Sequence, residues 1–149
     1  MSNARGFFWV TVVGCTSLAA PAQAQTVPDL KGTWTGKARN LVYGANHHHP
    51  GASADASTPR IREIEITYVI TGQDGPLIWG HVVSNVAQTP EPMAWSVASD
   101  GKTIIGADTD GYYHMTLASA DRLEVCYAHN GLSPSKSIVV GCAPLSRKK

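Results

Sequence analysis

Arg62-Glu63-Ile64-Glu65-Ile66-Thr67-Tyr68-Val69-Ile70-Thr71, then Gly72-Gln73-Asp74-Gly75, then Leu77-Ile78-Trp79-Gly80-His81-Val82-Val83 reads as a strand, a turn and a second strand. Ile64, Ile66, Tyr68 and Ile70 occupy alternate positions against Glu63, Glu65 and Thr67. That two-residue period is the signature of a strand with one buried face, and β-branched residues suit it. The Gly-Gln-Asp-Gly cluster supplies the turn chemistry that ends it. Working outward, further turn clusters follow: Pro90-Glu91-Pro92, Asp100-Gly101, Asp108-Thr109-Asp110-Gly111, Ala120-Asp121 and Ser133-Pro134-Ser135. Between them lie short runs rich in Val, Ile, Thr, Tyr and Trp, and no segment sustains a helical period. The pattern predicts an all-β chain of eight strands, at about 30–42, 62–71, 77–85, 92–98, 102–107, 112–118, 122–129 and 137–143.

Mostly short connections make sequence neighbours antiparallel neighbours. Eight strands joined this way either expose two edges or close on themselves, and closure removes the edges. An up-and-down barrel is the expected architecture, with a flattened β-sandwich as the alternative. Parity sets the inward faces. Leu30, Gly32, Trp34, Gly36 and Ala38 share one face of the first strand, with Lys31, Thr33, Thr35, Lys37 and Arg39 on the other. The third strand is undecided: Leu77, Trp79, His81 and Val83 oppose Ile78, Gly80 and Val82.

A turn centred on residues 131–136 places Cys126 opposite Cys142, so a cross-strand disulfide is expected, contributing on the order of 3 kcal/mol. Bonded cysteines share a face. Leu123, Val125 and Tyr127 read as inward, so Cys126 points out, and Cys142 must do the same together with Ile138 and Val140. An outward apolar stripe of this kind suggests a covered surface such as a subunit contact. The alternative is a β-bulge near Gly141 that resets the parity.

The N-terminus carries Arg5, an apolar run from Phe7 through Val13 that weakens towards Ala20, and then Ala22-Gln23-Ala24. This is the order of a secretory signal, with cleavage expected after Ala24 and one domain over residues 25–149. The apolar run is too short to span a bilayer, so no membrane span is expected. Val12-Val13-Gly14-Cys15 resembles a lipobox, which makes lipid anchoring through Cys15 the alternative route. Cleavage removes one of 12 basic residues and none of the 11 acidic ones, leaving a neutral domain. Without a basic surplus, a nucleic-acid partner is not expected. Export to the periplasm or beyond also suits the disulfide.

Asp29-Leu30-Lys31-Gly32-Thr33-Trp34, with Gly-x-Trp at the start of the first strand of a small antiparallel barrel, resembles the calycins: the lipocalins and avidins. The resemblance implies that Trp34 plugs one end of the barrel and that Arg147, near the C-terminus, packs on it. The sequence after Trp34 runs Thr35-Gly36-Lys37-Ala38-Arg39 and lacks the asparagine and serine with which avidins contact biotin, so biotin binding is not carried over. The chain also has no room for the C-terminal helix of lipocalins.

Both phenylalanines, Phe7 and Phe8, lie in the signal, so Tyr and Trp supply the aromatic surface of the domain. Each pairs an apolar face with a polar handle, which suits a pocket that must orient its ligand. Trp34, Tyr68, Trp79, His81 and Trp95 are the expected ligand-binding residues, under a lid formed by the long connection 43–61. That connection carries His47, His48 and His49, which are candidate metal ligands. Adjacent residues cannot close a tetrahedral site alone, so no metal and no cofactor is expected. Asp108-Thr109-Asp110-Gly111 reads as a tight turn rather than a calcium loop. Asp74, Asp100 and Asp121 also fall in turns, and no acid is assigned to an inward face. No catalytic residue is assigned. The leading expectation is a non-enzymatic exported barrel for a small, partly apolar ligand. A homo-oligomer subunit using Ile138 and Val140 is the second, and a hydrolase or isomerase with His81 or His114 facing a cavity is the third.

Overall fold

The computed structural model describes residues 27–44, 58–129 and 137–149. Eight strands, β1 (Gly32–Tyr43), β2 (Arg60–Asp74), β3 (Leu77–Ser84), β4 (Glu91–Val97), β5 (Thr103–Ala107), β6 (Tyr112–Ser119), β7 (Arg122–His129) and β8 (Ile138–Arg147), pair in sequence order. Antiparallel pairing of β1 with β8 closes the sheet into a barrel, and the sandwich alternative drops out. The signal segment, Cys15 and His47, His48 and His49 lie outside the described residues. Among the described residues no helix is long and apolar enough to cross a membrane.

The expected faces hold on β1, where Trp34 and Ala38 point inward and Asn40 and Val42 extend the row. On β3 the inward set is Ile78, Gly80 and Val82, which turns Trp79 and His81 outward. Trp79 is 48% exposed and lies flat over Gly72, its cross-strand neighbour. A Cβ at Gly72 would stand 2.2 Å from the indole ring. The β2–β3 register shifts between Ile70 and Gly72, so Gly72 faces outward and belongs to the strand, not to the turn its sequence suggests. The turn itself is tighter, with Gly75 at φ 52°, a left-handed conformation that glycine adopts without strain.

Cys126 and Cys142 form the expected disulfide, with Cα atoms 4.0 Å apart. The β7–β8 register runs unbroken from Arg122 opposite Ser146 to His129 opposite Val139, so there is no bulge at Gly141. The parity argument therefore stands: Val139, Ala143 and Leu145 are buried, while Ile138 and Val140 are each 49% exposed. Strand β8 continues through Pro144 to Arg147, beyond the expected end at 143. Proline lacks a backbone donor, and the β1–β8 register has a gap between Leu145 and Cys142, where Pro144 lies. Pairing on both sides of the gap carries the strand past it.

The interior divides into two halves. One is solid, packed with Leu30, Trp34, Tyr68, Ile70, Ile78, Met93, Trp95, Val97, Ile104, Met115, Leu123 and Leu145. The segment before β1 seals this end. Leu30 donates its N–H to Gln73 Oε1 at 2.8 Å and accepts from Trp34 Nε1 at 2.9 Å, while Gln73 Nε2 donates to the Pro28 carbonyl at 2.9 Å. Arg147 completes the seal. Its guanidinium carbon stands 4.5 Å from the Trp34 ring centroid, and its nitrogens donate to the carbonyls of Lys31, Asp29 and Ala120 at 2.7, 2.7 and 3.1 Å. The Trp34–Arg147 pairing implied by the calycin resemblance is present as a contact.

Candidate open-lumen site

At the other end the side chains pointing inward become small. Ala38 from β1 and Gly141 and Ala143 from β8 line one wall, leaving a cavity that includes Ile64, Ile66, Val82, Val125 and Leu145 among its apolar lining. Its empty space is about 670 Å³ counted out to the open mouth, of which a core of about 60 Å³ holds water-sized bodies. A water needs roughly 10–15 Å³ of such core, so the space exceeds a packing defect. Gly141 is needed here for close approach: a Cβ would stand 2.0 Å from Asn40 Oδ1.

The opposite wall is polar and aromatic. Tyr68, Tyr113 and Tyr127, on β2, β6 and β7, line the cavity with Glu91 at the start of β4 and Asp108 at the end of β5. Glu91 is inward because it continues the alternation of Met93, Trp95 and Val97, and it is 7% exposed. Two acids thus line the interior, both just outside the strand faces that the sequence assigned. Asp108 performs its turn role, accepting from Asp110 N at 3.0 Å and Gly111 N at 2.7 Å through Oδ1. The same carboxylate accepts from Tyr127 Oη at 3.3 Å and from Tyr113 Oη. Four donors converging on one side chain is the environment of a carboxylate, which accepts and donates nothing. Glu91 Oε1 accepts from Thr109 N at 3.2 Å and from the Thr109 hydroxyl, tying β4 to the β5–β6 turn.

The rings form a continuous aromatic run. Trp95 stands 5.4 Å from Tyr68 between centroids, Tyr68 5.8 Å from Tyr113, Tyr113 4.9 Å from Tyr127, and Tyr127 6.0 Å from His129. Burial pushes the phenols of Tyr68, Tyr113 and Tyr127 well above their ordinary range, and the charge of Asp108 pushes each further the same way. They act as neutral hydrogen-bond donors, not as bases. His129, buried at the end of β7, shares a hydrogen bond of 2.9 Å with Ser137. Burial lowers its pKa, with Asp110 and Asp108 pulling the other way.

The five expected ligand residues thus separate. Tyr68 lines the cavity; Trp95 packs behind Tyr68 and Tyr113; Trp34 belongs to the sealed end. Trp79 and His81 lie on the outer face and leave the lumen wall altogether. His114 is also outward, opposite Cys126, so the base required by the hydrolase or isomerase expectation is not in the lumen. Asn40, Glu91, Asp108, Tyr113 and Tyr127 are lining residues that sequence reasoning did not select. The signal for Glu91 was its even spacing from Met93 and Trp95, hidden by the flanking Pro90 and Pro92.

The chain is similar to a solved lyase structure. That structure is the S-type phycobiliprotein lyase from Guillardia theta, with 9% identity, 80% of this chain and 89% of the lyase covered, and a TM-score of 0.37. No protein-family model matches the chain, and no curated protein matches it. At 9% identity no site residue is transferable.

Proposed function

We propose that this chain is an exported β-barrel, residues 25–149 of the sequence, that binds a small, partly apolar ligand in the open half of its lumen. One observation carries the reading: the sealed half is filled by bulky side chains, whereas the open half is lined by Ala38, Gly141 and Ala143 against three tyrosines. A barrel built only for stability would fill both halves to interior density. Ligand pockets combine apolar walls with a few convergent polar groups, and this lining has both. Tyr68 is the wall residue from the expected set, and Trp34 and Trp95 support it from below. Export rests on the signal-like order of residues 1–24 and on the Cys126–Cys142 disulfide, which suits an oxidising compartment. The test is quenching of intrinsic tryptophan fluorescence by a panel of small amphiphiles, reported by Trp95 beside Tyr68. Saturable quenching is expected, and a flat response across the panel in folded protein would remove the reading.

A second reading has its own observation. Ile61, Leu41 and Val140 are cross-strand neighbours on the outer face, 61%, 39% and 49% exposed, with Ile138 beside them. A contiguous apolar row of this kind favours contact with a second copy of the chain. Light scattering across a concentration series decides: dimers are expected on this reading, and a monomer throughout counts against it.

A further inference from the structure

We infer that the open lumen selects an uncharged ligand, a compact apolar body carrying one neutral oxygen that stays at the mouth; this deepens the ligand-site reading and rests on it. The polar groups on the acid wall are bound to one another. A carboxylate has about four lone-pair sites, and Asp108 meets four donors: the amides of Asp110 and Gly111 and the hydroxyls of Tyr113 and Tyr127. Glu91 Oε1 takes the amide and the hydroxyl of Thr109. Tyr68 shares a hydrogen bond with Tyr113, so the phenol hydroxyls serve the network and leave ring surface to the cavity.

That arrangement works against ions of either sign. An anion needs donors and a counter-charge, and the lining holds two carboxylates and no lysine or arginine among the described residues. The phenols do not serve it either, because burial keeps all three protonated and their hydroxyls are already engaged. A cation needs acceptors. Asp108 is saturated, so an ammonium entering the lumen gives up its water without full replacement, at a cost that ring faces alone do not offset. An uncharged apolar body has no such hydration shell to lose, and it gains contact with Ala38, Ile64, Val125 and Ala143.

The independent observation lies at the rim. Ser84 and Thr89 line the same cavity from the connection between β3 and β4. Hydrogen bonds within that connection hold Ser84 in place. Its N–H donates to the Ala87 carbonyl at 3.1 Å, its Oγ accepts from the Ala87 N–H at 3.0 Å, and its carbonyl accepts from Gln88 Nε2 at 2.7 Å. Because Oγ is the acceptor here, the Ser84 hydroxyl keeps its own proton for a ligand. Thr89 is exposed and brings a second hydroxyl to the lining. Neutral hydroxyls at the mouth suit a neutral oxygen and give an ion no counter-charge. The ligand is thereby oriented, its oxygen at Ser84 and Thr89 and its apolar end against the small residues of β1 and β8.

Benzyl alcohol, toluene, benzoate and benzylamine, titrated into the full chain with its disulfide intact and followed by NMR shifts of lumen-lining residues, test the assignment. Benzyl alcohol is expected to bind at least about tenfold more tightly than benzoate or benzylamine, and about fivefold more tightly than toluene. Ser84→Ala combined with Thr89→Val is expected to remove the preference over toluene. Glu91→Gln, which keeps an oxygen for Thr109, is expected to narrow the gap between benzoate and benzyl alcohol by about tenfold. Should either variant fail to fold, the comparison of the probes on the unaltered chain still decides. Benzoate or benzylamine binding as tightly as benzyl alcohol overturns the selection of a neutral ligand and leaves the ligand site standing. Toluene binding as tightly as benzyl alcohol overturns the rim contact. Saturation by no probe, with the amphiphile panel also silent, overturns the ligand site itself.

Discussion

Single side chains carry double duties at both ends of this barrel. Asp108 caps its turn through two backbone amides and orders two tyrosines with the same carboxylate. Read from the sequence, Asp-Thr-Asp-Gly explains itself as a turn, and the explanation is correct but incomplete. The second duty depends on rings from β6 and β7 that arrive only when the barrel closes. His129 is likewise unremarkable in sequence and buried in the fold. It supplies a pH signature. Burial holds its folded pKa below the ordinary 6.5, so the unfolded chain takes up a proton first as pH falls. The stability it contributes is complete above about pH 6.5 and is lost progressively below it. Asp100 behaves in a lower window. The Thr103 hydroxyl, then the amides of Lys102 and Thr103, hold its carboxyl down to about 2 from 3.8, so its contribution is present above 3.8 and lost as pH falls towards 2. Melting temperatures followed from pH 8 to 4 are expected to fall below pH 6.5. The His129→Gln variant, though less stable at pH 8 through the altered Ser137 contact, is expected to show a flatter slope over that range. An unchanged slope would assign the acid sensitivity to another group.

At the scale of strands, the alternation of apolar and polar residues was sufficient to place all eight, because one face of each is dry and the other wet. It failed on β3, where Leu77-Ile78-Trp79-Gly80-His81-Val82-Val83 offers apolar residues to both faces. The bulge after Ile70 and the glycine at 72, over which Trp79 lies, settled the orientation, and neither is visible as a period. Periodicity also stopped β8 too early, since a proline ends a strand in isolation but not one held by ladders on both sides. The disulfide was legible because a hairpin fixes which residues face each other. Cys126 and Cys142 are 16 residues apart on β7 and β8, and the chain-entropy argument gives about 3 kcal/mol for a loop of this length. The pair lies on the outer face and neither cysteine is itself part of the lumen lining, so its loss should change stability more than it changes the interior. Cys126→Ala with Cys142→Ala is expected to lower the urea unfolding free energy by about 2–4 kcal/mol and to leave the folded-state tryptophan emission unaltered. A loss within about 0.5 kcal/mol would show that the paired strands already hold the unfolded-state contacts the bond was meant to restrict.

For the molecule as a whole, closure makes every strand interior to the sheet, yet the two halves are held by different forces. The sealed half has a bulky apolar core, the Gln73 clamp on the N-terminal segment and the Arg147 guanidinium over Trp34. The open half has small side chains, a cavity and a polar network anchored on Asp108 and Glu91. Apolar burial is the larger stabilising term, at about 25 cal/mol per Å², whereas a typical internal hydrogen bond adds only about 0.5–1.5 kcal/mol net. Local opening should therefore begin at the open end. Amide hydrogen exchange is expected to be slowest at Ile70, Ile104, Met115 and Leu123, where opening requires global unfolding. It should be faster at Asn40, Leu41 and Val140, whose ladders lie beside the cavity. Adding a saturating lumen ligand should raise protection at these open-end positions and leave the sealed end unchanged apart from the global shift. Uniform protection along β1 in the ligand-free chain would contradict the division into a filled and an open half, because the same strand runs through both.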